Sequence, residues 1–225
     1  RPYGMILVTP GPVMAAAEVW EATITGKGGH AAHPEKTVDP LVVAALTVLN
    51  LQTIVSRNVG AQQMAVVTVG ALHCGEAFNV IADHATLRGT VRTYEADVRA
   101  AVMRRLEEIV LGTARMMGAE AVLTTTQLTP ALVNDGHLTA LVQEVVADLL
   151  GKESLVTDER MMGSEDAAYF LQAVPGCYIF VGSGFEGQPE RPHHNPRFDI
   201  DERAMTNGVA VLVEALCRLM PVDGV

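Results

Sequence analysis

The alternation of strand and helix patterns between residues 18 and 130 restricts the fold of this chain more than any other feature of its sequence. Residues 18–25, 64–71, 86–94 and 120–128 show the alternation or the β-branched enrichment that is typical of strands. Helical patterns separate the first strand from the second and the third from the fourth. The resulting order, β-α-β-β-α-β, is that of a ferredoxin-like split βαβ unit.

Both helical patterns have clear ends. The first opens at Asp39-Pro40, where proline occupies the first helical position, and the second covers residues 95–117 with Gly118 as its stop. The predicted apolar face of the first helix consists of Leu41, Ala45, Leu49 and Ile54. The predicted inward face of the second consists of Val98, Val102, Leu106, Ile109 and Val110.

The residues on either side of this unit have a different pattern. Helices are predicted at 137–150, from Ser164 as N-cap to Leu171, and at 202–220. Strands are predicted at residues 155–158 and 177–181, and two strands cannot close a sheet by themselves. A further short strand near residues 5–9 could join them. We therefore expect an α/β domain made of residues 1–16 and 131–225, interrupted by an insertion over residues 17–130.

Composition excludes several classes of protein. Hydrophobic residues make up 49% of the 225 residues and charged residues 19%, which indicates a well-packed globular chain. A formal net charge of -10 without a Lys/Arg cluster argues against nucleic-acid binding. No apolar run reaches the length of a membrane span, so no membrane partner is expected. The widely spaced Cys74, Cys177 and Cys217 indicate buried thiols of a cytoplasmic protein.

A proline-bounded loop with two adjacent imidazoles, His193 and His194, precedes the last predicted helix. Asp199, Asp201 and Glu202 follow closely. Neutral imidazole is the commonest protein ligand for a catalytic metal, and a loop at a helix entrance is a typical place for one. A catalytic zinc normally takes three ligands from the protein, and this loop could supply one or two. The alternative is an ordinary loop whose acidic residues cap the next helix.

Three further positions carry candidate chemistry. His30 follows the glycine-rich segment 26–29, whose backbone could pass close to a ligand or a second chain, although a glycine-rich hairpin with a surface histidine fits equally well. Asn79 lies in a polar interruption between two strands and could be only a turn residue. Arg92 lies inside an alternating strand, where its charge requires a partner carboxylate or a sheet face open to substrate.

Seven motifs occur together in a fixed order along the chain. They are Gly26-Lys-Gly-Gly-His30, Thr37-Val-Asp-Pro40, Ser56-Arg-Asn58, Phe78-Asn-Val-Ile81, Gly89-Thr-Val-Arg-Thr93, Gly163-Ser-Glu-Asp166 and His194-Asn-Pro-x-Phe-Asp199. With them the chain resembles the metal-dependent amidohydrolases and metallopeptidases that include hippurate hydrolase, aminoacylase-like N-acyl-amino-acid amidohydrolases and plant auxin-conjugate hydrolases. The resemblance extends over essentially all 225 residues.

The resemblance implies a zinc-exopeptidase-like α/β catalytic domain that carries two divalent metal ions (Zn, Mn, Co or Ni) and is interrupted by a ferredoxin-like lid that also dimerises. His194 matches the last metal ligand. His30 matches a lid histidine that hydrogen-bonds the developing oxyanion, typically in the partner subunit's site. Asn79 matches a residue that holds the same oxygen, and Arg92 a residue that receives the substrate carboxylate.

Glu165 and Asp166 match an acidic loop near the metals, and we expect them to support the ligands and to cap the next helix. The other metal ligands and the general base of the family belong to an amino-terminal half that has no counterpart in this sequence. We therefore expect the chain to be the carboxyl-terminal part of such a protein, with weak or no metal binding and no activity of its own.

The predicted function of the parent protein is hydrolysis of the amide bond of an N-acyl amino acid, or of a similar small amide, by metal-activated water in a cytoplasmic homodimer. Two alternatives remain at this point. The chain could be a non-catalytic module that dimerises or binds a ligand through its lid, or it could belong to a zinc exopeptidase that acts on dipeptides.

Overall fold

The computed structural model describes residues 1–189, 191 and 193–220. Glu190, Pro192 and residues 221–225 lie outside this description. The chain divides into two compact units. The split-βαβ unit comprises residues 15–131 and 162–164, and the flanking unit comprises residues 1–14, 132–161 and those from Glu165 onward. No helix of the described residues is both long enough and apolar enough to span a bilayer.

The described residues contain eleven strands and five α-helices. The strands are β1 (Ile6–Leu7), β2 (Gly11–Met14), β3 (Ala16–Thr25), β4 (Gly29–His30), β5 (Ala65–Cys74), β6 (Val80–Ile81), β7 (His84–Thr93), β8 (Glu120–Thr129), β9 (Leu132–Asn134), β10 (Leu155–Val156) and β11 (Phe180–Val181). The helices are α1 (Pro40–Leu51), α2 (Ala96–Met116), α3 (Gly136–Leu150), α4 (Ala167–Ala173) and α5 (Arg203–Leu219). A π-helical turn, Ile54–Asn58, follows α1.

The split-βαβ unit is a four-stranded antiparallel sheet in the order β5-β7-β3-β8. Its helices α1 and α2 cover one face, because apolar side chains alternate along the strands and gather on that face. Trp20, Ile24 and Leu87 are completely buried there with Leu106 of α2. The mixed α/β fold with this ferredoxin-like order confirms the fold class predicted from the sequence.

The predicted apolar face of α1 is wrong for three of its four residues, and only Ile54, in the turn that follows the helix, is buried. Leu41 and Leu49 are exposed, and the buried residues of the helix are Pro40, Val43, Ala44, Thr47 and Leu51. The error has a physical cause, since α1 is apolar almost all the way round and its sequence therefore contains no polar face to set the rotation of the helix. The outward face of α1 is consequently apolar as well.

The flanking unit contains a three-stranded sheet in the order β10-β1-β11. The central strand β1 comes from the first residues of the chain and pairs parallel with β10 and antiparallel with β11. All three strands are only two residues long, shorter than the sequence predicts. Helices α3 and α5 pack on this sheet through Ile6, Val8, Val145, Val146 and Val211.

A buried asparagine, which the sequence analysis did not single out, joins three segments of the flanking unit. The Nδ2 of Asn134 donates to the carbonyl oxygens of Thr9 and Tyr178, both at 2.9 Å. Its Oδ1 accepts from the backbone N–H of Tyr178 at 2.7 Å. Because every hydrogen-bonding atom of this buried amide has a partner, the interaction stabilises the junction between the β1–β2 connection, β9 and the segment that leads to β11.

The outward face of α5 is apolar and exposed. It presents Met205, Val209, Leu212, Val213 and Leu216. Cys217 lies on the same side of the helix and is also exposed, which corrects the prediction that all three thiols are buried. Cys74 and Cys177 are half-buried, and burial raises the pKa of both thiols above the ordinary value.

The closest packing in the split-βαβ unit generates a stability prediction. A Cβ at Gly89 would lie 2.0 Å from the carbonyl oxygen of Thr68 and 2.4 Å from a ring carbon of the buried Trp20. Gly89→Ala should therefore lower the free energy of unfolding by about 3 kcal/mol or more. Gly70→Ala on the adjacent strand is the matched control, since its Cβ would meet nothing closer than 3.9 Å. Equal urea midpoints for the two variants would contradict this packing.

Candidate active site

The glycine-rich segment after β3 folds tightly onto this chain's own backbone. A Cβ at Gly26 would lie 2.1 Å from the carbonyl oxygen of Val38, and a Cβ at Gly28 would lie 2.7 Å from that of Ile81. Neither contact tolerates a side chain. The sequence suggested that the backbone of this segment passes close to a ligand or a second chain. The glycines instead allow the backbone to pass close to other backbone atoms of the same chain. Their effect is to fix the path of the segment that presents His30.

His30 and Asn79 are brought together by a two-stranded ribbon. Strands β4 and β6 pair antiparallel with His30 opposite Val80. The N–H of Ala31 donates to the carbonyl oxygen of Asn79 at 3.1 Å, which extends the pairing by one step. Both side chains are exposed at the same end of the ribbon. The ribbon thus brings His30 and Asn79 to neighbouring positions, one step apart in the register, at the surface of the split-βαβ unit.

The hydrogen bond to the His30 ring assigns its tautomer. The backbone N–H of Ala32 donates to Nδ1 of His30 at 3.0 Å. A nitrogen that accepts cannot carry the proton in a neutral imidazole, so the proton lies on Nε2. The His33 ring stands beside it, with the two centroids 5.9 Å apart. His30 therefore offers an N–H donor to the solvent-exposed side of the ribbon.

Arg92 differs from the other half-buried arginines of the described residues. Each of the others holds at least one carboxylate. The pairs are Arg99 with Glu18, Arg105 with Glu108, and Arg218 with Glu214 and Asp148. Arg92 instead donates through Nη1 to the hydroxyl oxygen of Ser164 at 2.9 Å, and no carboxylate oxygen of a described residue lies within 4.0 Å of it. No carboxylate of the described residues neutralises its guanidinium charge, which leaves the guanidinium available to an anionic ligand.

The ribbon and Arg92 lie at opposite ends of β7. This strand begins at His84, next to the ribbon, and reaches Arg92 eight residues later. At about 3.4 Å per residue, the two ends are roughly 27 Å apart. His30 and Asn79 of one split-βαβ unit therefore cannot contact a small substrate that is bound to Arg92 of the same unit.

The two adjacent histidines have different surroundings. The His193 ring packs edge-on against Phe198, with centroids 5.0 Å apart. His194 has a φ of 60°, and no other non-glycine residue of the described chain has a positive φ. A left-handed conformation at a non-glycine residue costs energy and often marks a functional position. Arg191 forms an ion pair with Asp199 across the base of the loop.

The described residues do not form a metal site by themselves. Across residues 1–189, 191 and 193–220, no group of three or more His, Cys, Asp or Glu side chains is placed to hold a metal ion. His194 is predicted as a metal ligand from the resemblance, and a single ligand does not make a structural or catalytic metal site. No chemical step of a metal can therefore be derived from these side chains.

The segment around Glu165 and Asp166 departs from the prediction in one respect. Ser164 does not cap α4, because its hydroxyl accepts from Arg92 and the helix begins only at Ala167. Asp166 occupies the N-cap position without a side-chain hydrogen bond to the helix. Burial raises the pKa of the Tyr178 phenol, and the charges of Glu165 and Asp166 raise it further. The acidic pair therefore lies close to this phenol.

Comparison with known proteins identifies relatives of this chain. YhaA of Bacillus subtilis (strain 168) is 42% identical over 217 residues, which cover 96% of this chain and 54% of the relative. The IAA-amino acid hydrolase ILR1-like 2 of Arabidopsis thaliana is 37% identical over 214 residues, with 93% and 48% covered. The N-acetylcysteine deacetylase of Bacillus subtilis (strain 168) is 37% identical over 205 residues, with 91% and 52% covered.

A solved structure is also similar to this chain. The YXEP protein of Bacillus subtilis, a dinuclear metal binding peptidase from the M20 family, superposes with a TM-score of 0.79 at 30% identity. The alignment covers 97% of this chain and 54% of that protein. This chain spans about half the length of the relatives it matches.

The family model described as Peptidase family M20/M25/M40 matches residues 8–218, which is nearly the whole chain. The resemblance to metal-dependent amidohydrolases that the seven motifs carry is thereby confirmed. The chain belongs to Peptidase family M20/M25/M40.

Proposed function

We propose that this chain is part of a hydrolase that cleaves the amide bond of small N-acyl amino acids. The names of two relatives, an IAA-amino acid hydrolase and an N-acetylcysteine deacetylase, support this substrate class. The observation that carries the proposal is the guanidinium of Arg92, which no carboxylate of the described residues neutralises. An N-acyl amino acid supplies the missing carboxylate, and arginine can bind it with two parallel hydrogen bonds.

The residues of this chain bind the substrate and stabilise charge. Arg92 receives the carboxylate of the amino acid. The Nε2–H of His30 and the carboxamide of Asn79 donate to the carbonyl oxygen of the amide bond, on which negative charge develops as the bond is attacked. Donors that are already oriented stabilise this charge without reorganisation. His194 is the candidate metal ligand from this chain, with Glu165 and Asp166 as supporting residues, and the remaining ligands lie outside the described residues.

One active site combines residues from two copies of the chain. The separation of roughly 27 Å along β7 supports this arrangement, because a small substrate cannot reach both ends of one strand. A substrate held by Arg92 of one copy meets His30 and Asn79 of the second. Dimerisation is then a requirement of the chemistry, since each copy alone carries only half of the substrate contacts.

The outward face of α1 is the proposed dimer contact. Residues 40–56 contain no charged side chain, although the chain carries a net charge of -10. Leu41, Val42 and Leu49 are exposed on this face, and the neighbouring edge strand β5 pairs only with β7 among the described residues. Two like-charged molecules associate most readily through a charge-free apolar surface. A second copy of the chain matches this requirement.

We propose that the flanking unit is part of an α/β metal-binding domain. The exposed apolar residues of α5 support this assignment, since a stripe of five large side chains on one helix usually packs against another element. The coverage of about half of each relative is consistent with it. The split-βαβ unit is correspondingly the lid of the enzyme.

Mixing two inactive variants tests the shared active site. In the metal-loaded enzyme, His30→Ala and Arg92→Ala should each lower kcat/KM for N-acetyl amino acids by about 10²–10³-fold. A heterodimer of the two contains one site in which both residues are intact, so mixing should restore about a quarter of the wild-type activity. The released amino acid is measured after subunit exchange.

A second mixture provides the control. His30→Ala and Asn79→Ala alter the same ribbon, so every site of their heterodimer lacks one of the two donors and activity should stay low. If activity does not recover in either mixture, despite demonstrated subunit exchange, each site lies within a single chain. That result would contradict the shared site.

Charge placed on α1 tests the dimer contact. Leu49→Glu puts a carboxylate at a position that is 67% exposed on the proposed interface. The variant should sediment as a monomer at concentrations at which the wild type is a dimer, because each interface would then bury two unpaired charges. Val122→Glu is the matched control, since Val122 is 65% exposed on the opposite face of the sheet. A dimer that survives Leu49→Glu but not Val122→Glu would show that the other face is the interface.

A further inference from the structure

We propose that Ser164 is a positioning residue that orients the guanidinium of Arg92 for the substrate carboxylate. This inference rests on the proposed role of Arg92 as the carboxylate-binding residue. Its basis is the hydrogen bond of 2.9 Å from Nη1 of Arg92 to the hydroxyl oxygen of Ser164. Ser164 lies 72 positions away in the sequence and belongs to the same compact unit as Arg92.

Ser164 is held in place by the backbone beside it. The carbonyl oxygen of Gly163 accepts a hydrogen bond from the N–H of Ala15 at 2.9 Å. Ala15 directly precedes β3, in which Ala17 is the cross-strand partner of Arg92. The segment that carries Ser164 is therefore attached to the end of the sheet where Arg92 lies. A hydroxyl on a fixed backbone can restrain a long side chain that would otherwise sample many rotamers.

The residues paired directly with Arg92 on the adjacent strands do not offer this hydrogen bond. The residues paired with Arg92 are Ala17 on β3 and Val66 on β5, and both have apolar side chains. Glu18 holds Arg99 of α2 at 2.5 Å and is thus engaged on the helix-covered face. In the described part of the chain, Ser164 is the side chain that hydrogen-bonds Arg92.

A serine suits this role better than an acidic residue. Its hydroxyl accepts one hydrogen bond and carries no charge, so it fixes the guanidinium without neutralising it. A guanidinium has five N–H donors, and one is used by Ser164, which leaves enough for a bidentate carboxylate. An aspartate at the same position would form an ion pair and compete with the substrate. The pair Arg92–Ser164 thus keeps a half-buried arginine both ordered and cationic.

The test uses the 225-residue chain and two small probes. N-acetylglycine carries the carboxylate and N-acetylglycinamide lacks it, and binding is followed by NMR through the amide shifts of Val91 and Thr93. Ser164→Ala should weaken N-acetylglycine binding about five- to tenfold, while Ser164→Thr restores it. Ser164→Asp should weaken binding more than Ser164→Ala does. Rotation of the Arg92 guanidinium should be faster in Ser164→Ala than in the wild type.

Controls separate this inference from the proposed function. Ser154→Ala removes an ordinary hydrogen bond to the carbonyl oxygen of Leu150 and should change neither affinity nor rotation. If Arg92→Ala abolishes binding while Ser164→Ala binds like the wild type, the positioning role of Ser164 is wrong and the role of Arg92 stands. If N-acetylglycine and N-acetylglycinamide bind equally, or Arg92→Ala has no effect, both are wrong.

Discussion

The antiparallel pairing of β3 with β7 is the constraint on which the rest of this structure depends. Ten consecutive pairs, from Ala16 with Thr93 to Thr25 with His84, fix the register of the sheet. A slip of one residue would turn Trp20 and every other inward side chain to the opposite face. The same register sets the ribbon with His30 at one end of the strands and Arg92 at the other.

This separation would give the proposed dimer a chemical purpose. A rigid strand cannot bend its two ends onto one small molecule, so the proposed charge-stabilising donors and the proposed carboxylate-binding arginine of one copy would serve different sites. The apolar outer face of α1 then has an explanation that core packing does not provide, since this surface gains nothing for the folded monomer. In the proposed dimer, formation of the interface and assembly of the active site would depend on each other.

Most of the strands and helices can be predicted from the sequence because their periodicity is local. Features that depend on tertiary contacts are predicted less well. The helix predicted at 95–117 is observed at Ala96–Met116. The single polar face of this helix determines its rotation. The predicted rotation of α1 is wrong because that helix lacks a polar face. The hydrogen bonds of Ser164 and Asn134 could not be predicted from the sequence, because each depends on partners that lie far away along the chain. The motif around Ser164 singled out this segment, but its pattern predicted a helix cap and not a hydrogen bond to Arg92.

The most direct test of the shared active site is a crystal structure of the metal-loaded dimer with a bound, non-hydrolysable N-acyl amino acid analogue. We predict that the analogue's carboxylate contacts Arg92 of one copy. Its tetrahedral oxygen should lie within hydrogen-bonding distance of His30 and Asn79 of the second copy. A structure in which all three residues of a single copy contact one analogue, or in which Arg92 contacts none, would contradict this prediction.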